Sequence, residues 1–245
     1  MESKFKLPTE SVDLPSKGLM YAKDSVLASG KIEMKYMTAR EEDILTNQNY
    51  ITNGTVIDRL LKSLIVSDIS YDDILVGDKN AIMVAARILS YGKDYEITFG
   101  GETHTVDLSL LENRELDESL YQGPDTEFSY TLPASGIEIK FKLLTHGAEK
   151  KVDNEITGLK KIQKDNAPEA TTRLKHIVTE VDGSRERKDV RDFVENYFLA
   201  RDARSFRAHY NSIQPDVDMK VTLEVNGAEE DVDLPITLNF FWPDA

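Results

Sequence analysis

The hydrophobic period of this sequence changes from helical to strand-like and back several times, and this alternation limits the folds that the chain can adopt. Residues 54–66 read GTVIDRLLKSLIV and place their apolar side chains on one face at helical spacing. Residues 93–111 instead contain two strand-like runs joined at Gly100-Gly101, which is typical of a hairpin. Because helices and hairpins come in separate blocks, the pattern predicts an α+β fold in which helical units are interleaved with β-hairpins.

The same blocks suggest where the chain divides into regions. Thr38 and Glu41 have the spacing of a capping box at the start of the first helix. Asp78 is placed to cap a later helix, and Gly92 is placed to end it. The predicted regions are an extended N-terminal arm with a short strand at 1–37, a helical unit at 38–92, β-hairpins at 93–145, a second helical unit at 146–214, and a C-terminal β-hairpin at 215–245 that packs with the earlier hairpin.

The second helical unit contains two segments of different character. Residues 149–165 are strongly charged and weakly apolar, which predicts an exposed or mobile helix. After them, an apolar stripe from Leu174 to Val181 has helical spacing. Asp182-Gly183 interrupts this stripe, so we expect the helix to end there.

The balance of charges disfavours nucleic acid as a partner. The chain has 44 acidic and 30 basic residues and a formal net charge of −14, so it repels a phosphate backbone. It contains no cysteine, which excludes disulfides and thiolate metal sites and fits a reducing compartment. No apolar run approaches the ~20 residues that span a bilayer, and the N-terminus lacks the apolar core of a signal peptide. We therefore expect a protein that is made and used in the cytoplasm, or inside something assembled there, without a membrane partner.

The sequence contains none of the short motifs that mark common enzyme and nucleotide sites. Its four histidines lie far apart, and His104 beside Glu102 is the best starting point for a metal site. Acidic pairs are frequent in a chain with 44 acidic residues, and none stands out as a glycosidase-like couple. We therefore expect no enzyme, no metal and no cofactor, while an unrecognised hydrolase stays open as an alternative.

Three groups of residues are candidates for contact with a partner. Near the C-terminus, the alternation of a predicted strand sends Phe240 and Trp242 to one face and Phe241 to the other, where they close the core or meet a partner. The apolar side chains of the arm either wrap their own domain or dock along a neighbouring subunit by strand addition. Arginines at i, i+3 and i+6 of the last predicted helix form an ion-paired face or a protein contact. The candidate partner-binding residues are Leu14, Leu19, Tyr21, Arg201, Arg204, Arg207, Phe240, Phe241 and Trp242.

Several stretches, taken together and in order, resemble a known family. They are spread over nearly the whole chain, and residues 112–165 are the least covered. Their collinear order carries the resemblance, since no single motif is specific. The stretches are LPSKGLMY, MTAREEDILTNQNYITNGTVIDRLL, AARILSYGKDYEITF, VRDFVENYFLARDARSFRAHYNSIQPDVDM and DVDLPITLNFFWP. The set resembles the T4-type baseplate hub assembly proteins of contractile-tailed bacteriophages.

The resemblance implies a non-enzymatic role at the central hub of the phage tail baseplate, carried out through protein–protein contacts. Its partners would be other baseplate or hub proteins, with the tape-measure protein as a further candidate and self-association left open. The protein would act in the host cytoplasm during assembly, and it would either remain in the virion tail baseplate or leave before the particle is finished. A tail assembly chaperone for the tape-measure protein is the alternative within phage assembly.

The two hairpins carry a weak internal repeat, YEITFGGETHTVDL and KVTLEVNGAEEDVDL, and the second contains the strong turn signal Asn226-Gly227. The resemblance implies Cys-x-x-Cys turns at both places in the family. Here those places read FGGETHT and EVNGAEED. It therefore implies hairpins that keep their tight glycine turns and have lost their metal.

Overall fold

The computed structural model describes residues 7–163, 168–225 and 227–241. They form a mixed α+β fold of helices and small antiparallel sheets, which confirms the predicted fold class. No helix among these residues is long and apolar enough to cross a membrane. The α-helices are Ala39–Leu45 (α1), Gln48–Thr52 (α2), Val56–Leu64 (α3), Val76–Tyr91 (α4), His146–Gln163 (α5), Glu169–Ile177 (α6), Arg187–Asp192 (α7) and Ala200–Ile213 (α8). The strands are Thr9–Asp13 (β1), Lys31–Lys35 (β2), Asp94–Phe99 (β3), Glu102–Asp107 (β4), Phe128–Thr131 (β5), Glu138–Phe141 (β6), Val178–Val181 (β7), Lys220–Val225 (β8) and Ala228–Asp233 (β9).

Most strand pairs join neighbours in sequence. β1 pairs with β2, β3 with β4, and β8 with β9, while a three-stranded sheet has the order β5–β6–β7. Gly100 and Gly101 connect β3 to β4 with φ angles of 61° and 85°. A residue with a β-carbon rarely adopts such angles, so the two glycines allow the tight turn. The hairpin predicted at residues 93–111 is therefore confirmed.

The predicted capping residues hold the start of the first helical unit. The buried carboxylate of Glu41 accepts hydrogen bonds from the N–H (3.0 Å) and the hydroxyl (2.6 Å) of Thr38. It also accepts hydrogen bonds from Lys35 Nζ at 2.9 Å and Ser63 Oγ at 2.7 Å. The apolar face predicted for residues 54–66 lies in the core through Val56, Leu60, Leu61 and Leu64 of α3.

Residues 9–21 wrap the chain's own domain, which is one of the two arrangements predicted for the arm. β1 pairs along its whole length with β2. The chain then turns at Lys17 and Gly18, whose φ angles are 51° and 79°. A β-carbon at Gly18 would lie 2.5 Å from the carbonyl oxygen of Ala28, so the turn packs directly on the backbone that precedes β2.

The charged segment of the second helical unit forms α5, which is 18 residues long. Val152 and Ile156 attach it to the rest of the protein, since they are 0% and 9% exposed. Most of its other side chains face solvent, and Ile162 near its end is 81% exposed. Residues 164 and 165 of the predicted segment lie outside the described residues.

The prediction of a helix that continues to Val181 is wrong. α6 ends at Ile177, and Val178–Val181 form β7, which pairs with β6. The apolar spacing fits a strand here because the register of the pair shifts between Lys140 and Phe141, which changes the side-chain alternation. β-branched residues favour the strand, and pairing satisfies the backbone groups of β7 and β6.

Phe240 and Phe241 do not continue a strand, so the alternation predicted for these two residues is wrong. Leu238–Phe241 form a 3-10 turn, and the side chains of Phe240 and Phe241 are both 0% exposed. Successive residues in such a turn point about 120° apart, whereas a strand would send them to opposite faces. The Phe240 ring contacts the rings of Tyr95 and Phe241 edge-on, with centroids 5.0 and 5.5 Å away. Trp242 lies outside the described residues.

Candidate partner-binding surfaces

Asp78 anchors the N-terminal arm instead of capping a helix, so the predicted capping role is wrong. Its carboxylate is fully buried in the first turn of α4. It accepts hydrogen bonds from the N–H (2.8 Å) and hydroxyl (2.6 Å) of Ser16 and from the hydroxyl of Tyr21 (2.5 Å). Desolvation raises the pKa of Asp78, while these donors oppose the rise. Tyr21 in turn accepts a hydrogen bond from the N–H of Leu75 at 2.9 Å, which ties the arm to the start of α4.

Four of the candidate partner-binding residues therefore lie in the core. Leu14 and Tyr21 are 1% and 7% exposed, and Phe240 and Phe241 have no exposed surface. The arm and the C-terminal turn bury these side chains against their own domain, which is the core-closing alternative of the two that the sequence left open. Leu19 is half-buried and packs against the same core.

The candidate arginines remain at the surface. Arg201, Arg204 and Arg207 are exposed on one side of α8. Within the described part of the chain, the ion pairs do not include any of the three. Tyr197 and Leu199, directly before α8, are 61% and 50% exposed. We call the three arginines the α8 surface; it offers cationic contacts, and the two exposed apolar side chains come directly before it in the chain.

The opposite side of α8 fixes this surface to the three-stranded sheet. The buried carboxylate of Asp202 accepts hydrogen bonds from the N–H groups of Ala134 (2.7 Å) and Ser135 (3.0 Å), in the turn between β5 and β6. Desolvation acts to raise the pKa of Asp202, but these backbone donors outweigh it and the pKa is lowered. Asp202 therefore lies beneath the arginine-rich face of α8.

A second surface lies between the two hairpins that carry the weak repeat. β4 and β8 form the walls of a groove of about 420 Å³. At one end the walls touch, since a β-carbon at Gly100 would lie 2.5 Å from Cγ1 of Val225. At the other end the backbone joins them, because the N–H of Arg114 donates to the carbonyl oxygen of Asp216 at 2.9 Å. Leu110, which lines the groove, is 76% exposed. We call this feature the interhairpin groove.

The interhairpin groove lies in the most acidic part of the chain. Residues 93–118 and 218–233 contain fourteen acidic residues and three basic ones, a formal charge of −11 out of −14 for the whole chain. All the acidic side chains except Asp107 are exposed. Asp107 is half-buried and accepts a hydrogen bond from Lys93 at 2.6 Å, which holds the pKa of its carboxyl at about 2. This end of the molecule therefore favours a basic partner.

A polar cluster joins four elements and is the closest arrangement to a catalytic constellation. Lys79 Nζ lies 2.8 Å from Asp58 Oδ1 and 3.2 Å from His146 Nδ1. The hydroxyl of Tyr71 donates to the same Asp58 oxygen at 3.1 Å. Burial lowers the pKa of His146, and the neighbouring Lys79 lowers it further. Desolvation acts to raise the pKa of Asp58, but Lys79 outweighs this effect and the pKa is lowered. The four groups bridge α3, the turn at Tyr71–Asp73, α4 and the start of α5, and among the described residues only Nε2 of His146 lacks a hydrogen-bond partner in this cluster. The cluster therefore acts as a tie between helices.

Local sequence patterns could not have revealed this cluster, because its members belong to separate elements. Asp58 and His146 lie 88 positions apart and meet only through the fold. The predicted metal seed at His104 pairs with Ile97 across the β3–β4 hairpin. Within the described ranges, no group of three or more His, Asp and Glu side chains is arranged to hold a metal ion.

Comparisons with models of protein families, with curated proteins and with solved structures found no match to the chain.

Proposed function

We propose that this chain is a non-enzymatic hub protein or hub assembly factor of a contractile-tailed phage baseplate, acting through protein–protein contacts. The proposal starts from the collinear stretches that resemble T4-type baseplate hub assembly proteins. The structural observation that supports it most is the interhairpin groove, which combines open strand edges, an exposed apolar side chain and concentrated acidic charge. These features suit the binding of another protein better than the binding of a small substrate.

The strand edges in the groove offer backbone hydrogen bonds to a partner. Among the described residues, β4 pairs only with β3 and β8 pairs only with β9. Each therefore presents an edge with unpaired backbone groups, to which an extended segment can add as a further strand. Charged side chains along such an edge also limit indiscriminate pairing between copies.

Side chains would select the partner. Leu110 provides an apolar anchor at the groove, and the acidic residues around it favour a segment that carries lysine or arginine. Because like charges repel nucleic acid from this surface, a basic protein segment is the occupant that the charge supports. A hub subunit with a basic extended segment would dock here, and the chain would hold it in place for assembly.

Affinity purification from cells infected with a contractile-tailed phage tests the proposal. The tagged chain should retain baseplate hub subunits, and Leu110→Ser should reduce their recovery by about tenfold, as expected for loss of a buried apolar anchor. Val66→Ser is the matched control, because Val66 is also an exposed apolar residue, at 55%, and lies outside the groove lining. It should leave recovery unchanged.

Other outcomes would redirect or overturn the assignment. Recovery of the tape-measure protein alone would favour the tail chaperone alternative. Recovery that is equal for the wild type and Leu110→Ser would exclude the groove as the docking site. Mass spectrometry of purified particles then separates a permanent baseplate component, present at a fixed ratio to hub subunits, from a factor that leaves before completion.

A further inference from the structure

A cavity of about 270 Å³ lies between α8, α6 and the start of α4, away from the interhairpin groove. Its inner wall is apolar and comes from separate parts of the chain. Val76, Leu144, Leu174, Ile177 and Phe206 form this wall. A cavity of about 150 Å³ lined by such residues stays dry and takes up benzene, so this one has room for an aromatic ring with a short side chain.

A buried hydroxyl in the wall has a proton without an acceptor. Tyr210 is 8% exposed, and its oxygen accepts a hydrogen bond from the N–H of Leu144 at 3.0 Å. Among the described residues, no group is hydrogen-bonded to the proton of this hydroxyl. Burial raises the pKa of Tyr210 to about 12, so the hydroxyl keeps its proton at neutral pH. The cavity therefore contains a donor that a ligand can use.

A positively charged side chain, Arg207, lies at the mouth of the same cavity. Arg207 lines it and is exposed, and the ion pairs of the described residues do not include it. The other arginine at the mouth, Arg173, is already paired with Glu149 at 2.9 Å. Arg207 is therefore the group that is ready to pair with an anion.

We propose that this cavity binds a small amphipathic carboxylate, with its apolar body against the inner wall and its carboxylate between the Tyr210 hydroxyl and the Arg207 guanidinium. The guanidinium supplies paired N–H donors that match a carboxylate. The Tyr210 hydroxyl donates to one carboxylate oxygen while it still accepts from Leu144. A neutral ligand of the same shape would leave the Arg207 charge without a partner. This site is independent of the proposed hub role.

Titration of the full chain with 4-phenylbutyrate and octanoate, followed by calorimetry and amide NMR, tests the site. Both probes should bind and shift the resonances of Leu174 and Ile177. 4-Phenylbutyramide, which has the same body without the charge, should bind about tenfold more weakly, the factor expected when one charge-assisted hydrogen bond is lost.

Two variants of α8 locate the binding. Arg207→Gln should weaken the binding of 4-phenylbutyrate by about tenfold. Arg204 is also exposed and lies one turn earlier, but it does not line the cavity, so the Arg204→Gln variant should bind 4-phenylbutyrate like the wild type. Tyr210→Phe should also weaken binding, with circular dichroism to show that it folds. The proposal is overturned if neither acid binds at millimolar concentration, if the amide binds equally well, or if Arg207→Gln and Arg204→Gln do not differ.

Discussion

A buried carboxylate is stable in a fold only while donors surround it, and Asp78 depends on three of them from the N-terminal arm. Asp78→Ala would leave the Ser16 and Tyr21 donors buried without an acceptor. We expect a loss of about 3 kcal/mol in the free energy of unfolding. Urea denaturation measures this loss, and Asp73→Ala, at an exposed acid in the turn before α4, is the control and should change stability little. A small effect of Asp78→Ala would mean that the arm is held by its apolar contacts alone.

We expect the protein to lose stability in acid because the pKa of the Glu41 carboxyl is lowered in the folded state. Desolvation would raise its pKa, but hydrogen bonds from Thr38, Lys35 and Ser63 outweigh this effect and lower the pKa to about 2 from an ordinary value of 4.5. Because the folded pKa is the lower one, the contribution is present above about pH 4.5 and is lost as the pH falls towards 2. Its size is about 3 kcal/mol.

A comparison of the wild type with Glu41→Gln isolates the contribution of the Glu41 carboxylate to the free energy of unfolding. At pH 6 the variant should be less stable by about 3 kcal/mol. This difference in the free energy of unfolding should shrink as the pH approaches 2. Chemical denaturation at a series of pH values gives the curve. A difference that does not depend on pH would show that Glu41 acts through packing and not through its charge.

At the scale of elements, one glycine lets α4 approach the segment that leads into β8. A β-carbon at Gly77 would lie 1.6 Å from the carbonyl oxygen of Pro215, so the backbone itself would have to move. Gly77→Ala should therefore cost more than about 3 kcal/mol or prevent folding. Gly158→Ala is a matched control in α5, because a β-carbon there meets nothing within 4 Å. Since alanine is the better helix former, Gly158→Ala should stabilise the protein by about 0.5–1 kcal/mol.

Denaturant midpoints of the two glycine variants, measured side by side, check this expectation. If both substitutions changed stability equally, the protein would lack the close contact between α4 and Pro215. The comparison matters for function as well, because the chain after Pro215 continues into β8, one wall of the interhairpin groove. The groove keeps its shape only if this junction holds.

At the scale of the whole molecule, the negative charge is concentrated in the two hairpins, where repulsion between like charges destabilises the fold. Glu224 and Glu229 face each other directly across the β8–β9 pair, and like charges in this position destabilise a hairpin. Raising the salt concentration from about 0.01 M to 0.15 M shortens the Debye length from about 30 Å to 8 Å. We therefore expect salt to stabilise the protein by about 1 kcal/mol.

Two charge reversals distinguish the effect of the facing pair on stability from the effect of the net charge. Glu229→Lys creates an opposite-charge pair with Glu224, whereas Glu230→Lys makes the same change in net charge opposite Leu223. At low salt, Glu229→Lys should be the more stable variant by about 0.5 kcal/mol. Equal stabilities in thermal or urea unfolding would mean that only the net charge matters.

The candidate sites show why sequence reasoning reached some residues and missed others. The arginines of α8 were found because helical spacing places them on one exposed face. The interhairpin groove and the cavity were missed because their walls combine residues from distant segments, such as Val76 and Tyr210. The aromatic residues near the C-terminus and those of the arm were ambiguous, since an apolar side chain that meets a partner looks the same in sequence as one that closes the core.

The sequence by itself determined the local features of this protein: the α+β class, the amphipathic face of α3, and the glycine turn between β3 and β4. These follow from hydrophobic period and from backbone preferences, which act between neighbouring residues. Only the tertiary structure decided that Val178–Val181 form a strand beside β6, that Asp78 holds the arm, and that Phe240 and Phe241 share the core. These outcomes depend on which distant groups satisfy a backbone edge, a carboxylate or an apolar surface, and folding alone brings those groups together.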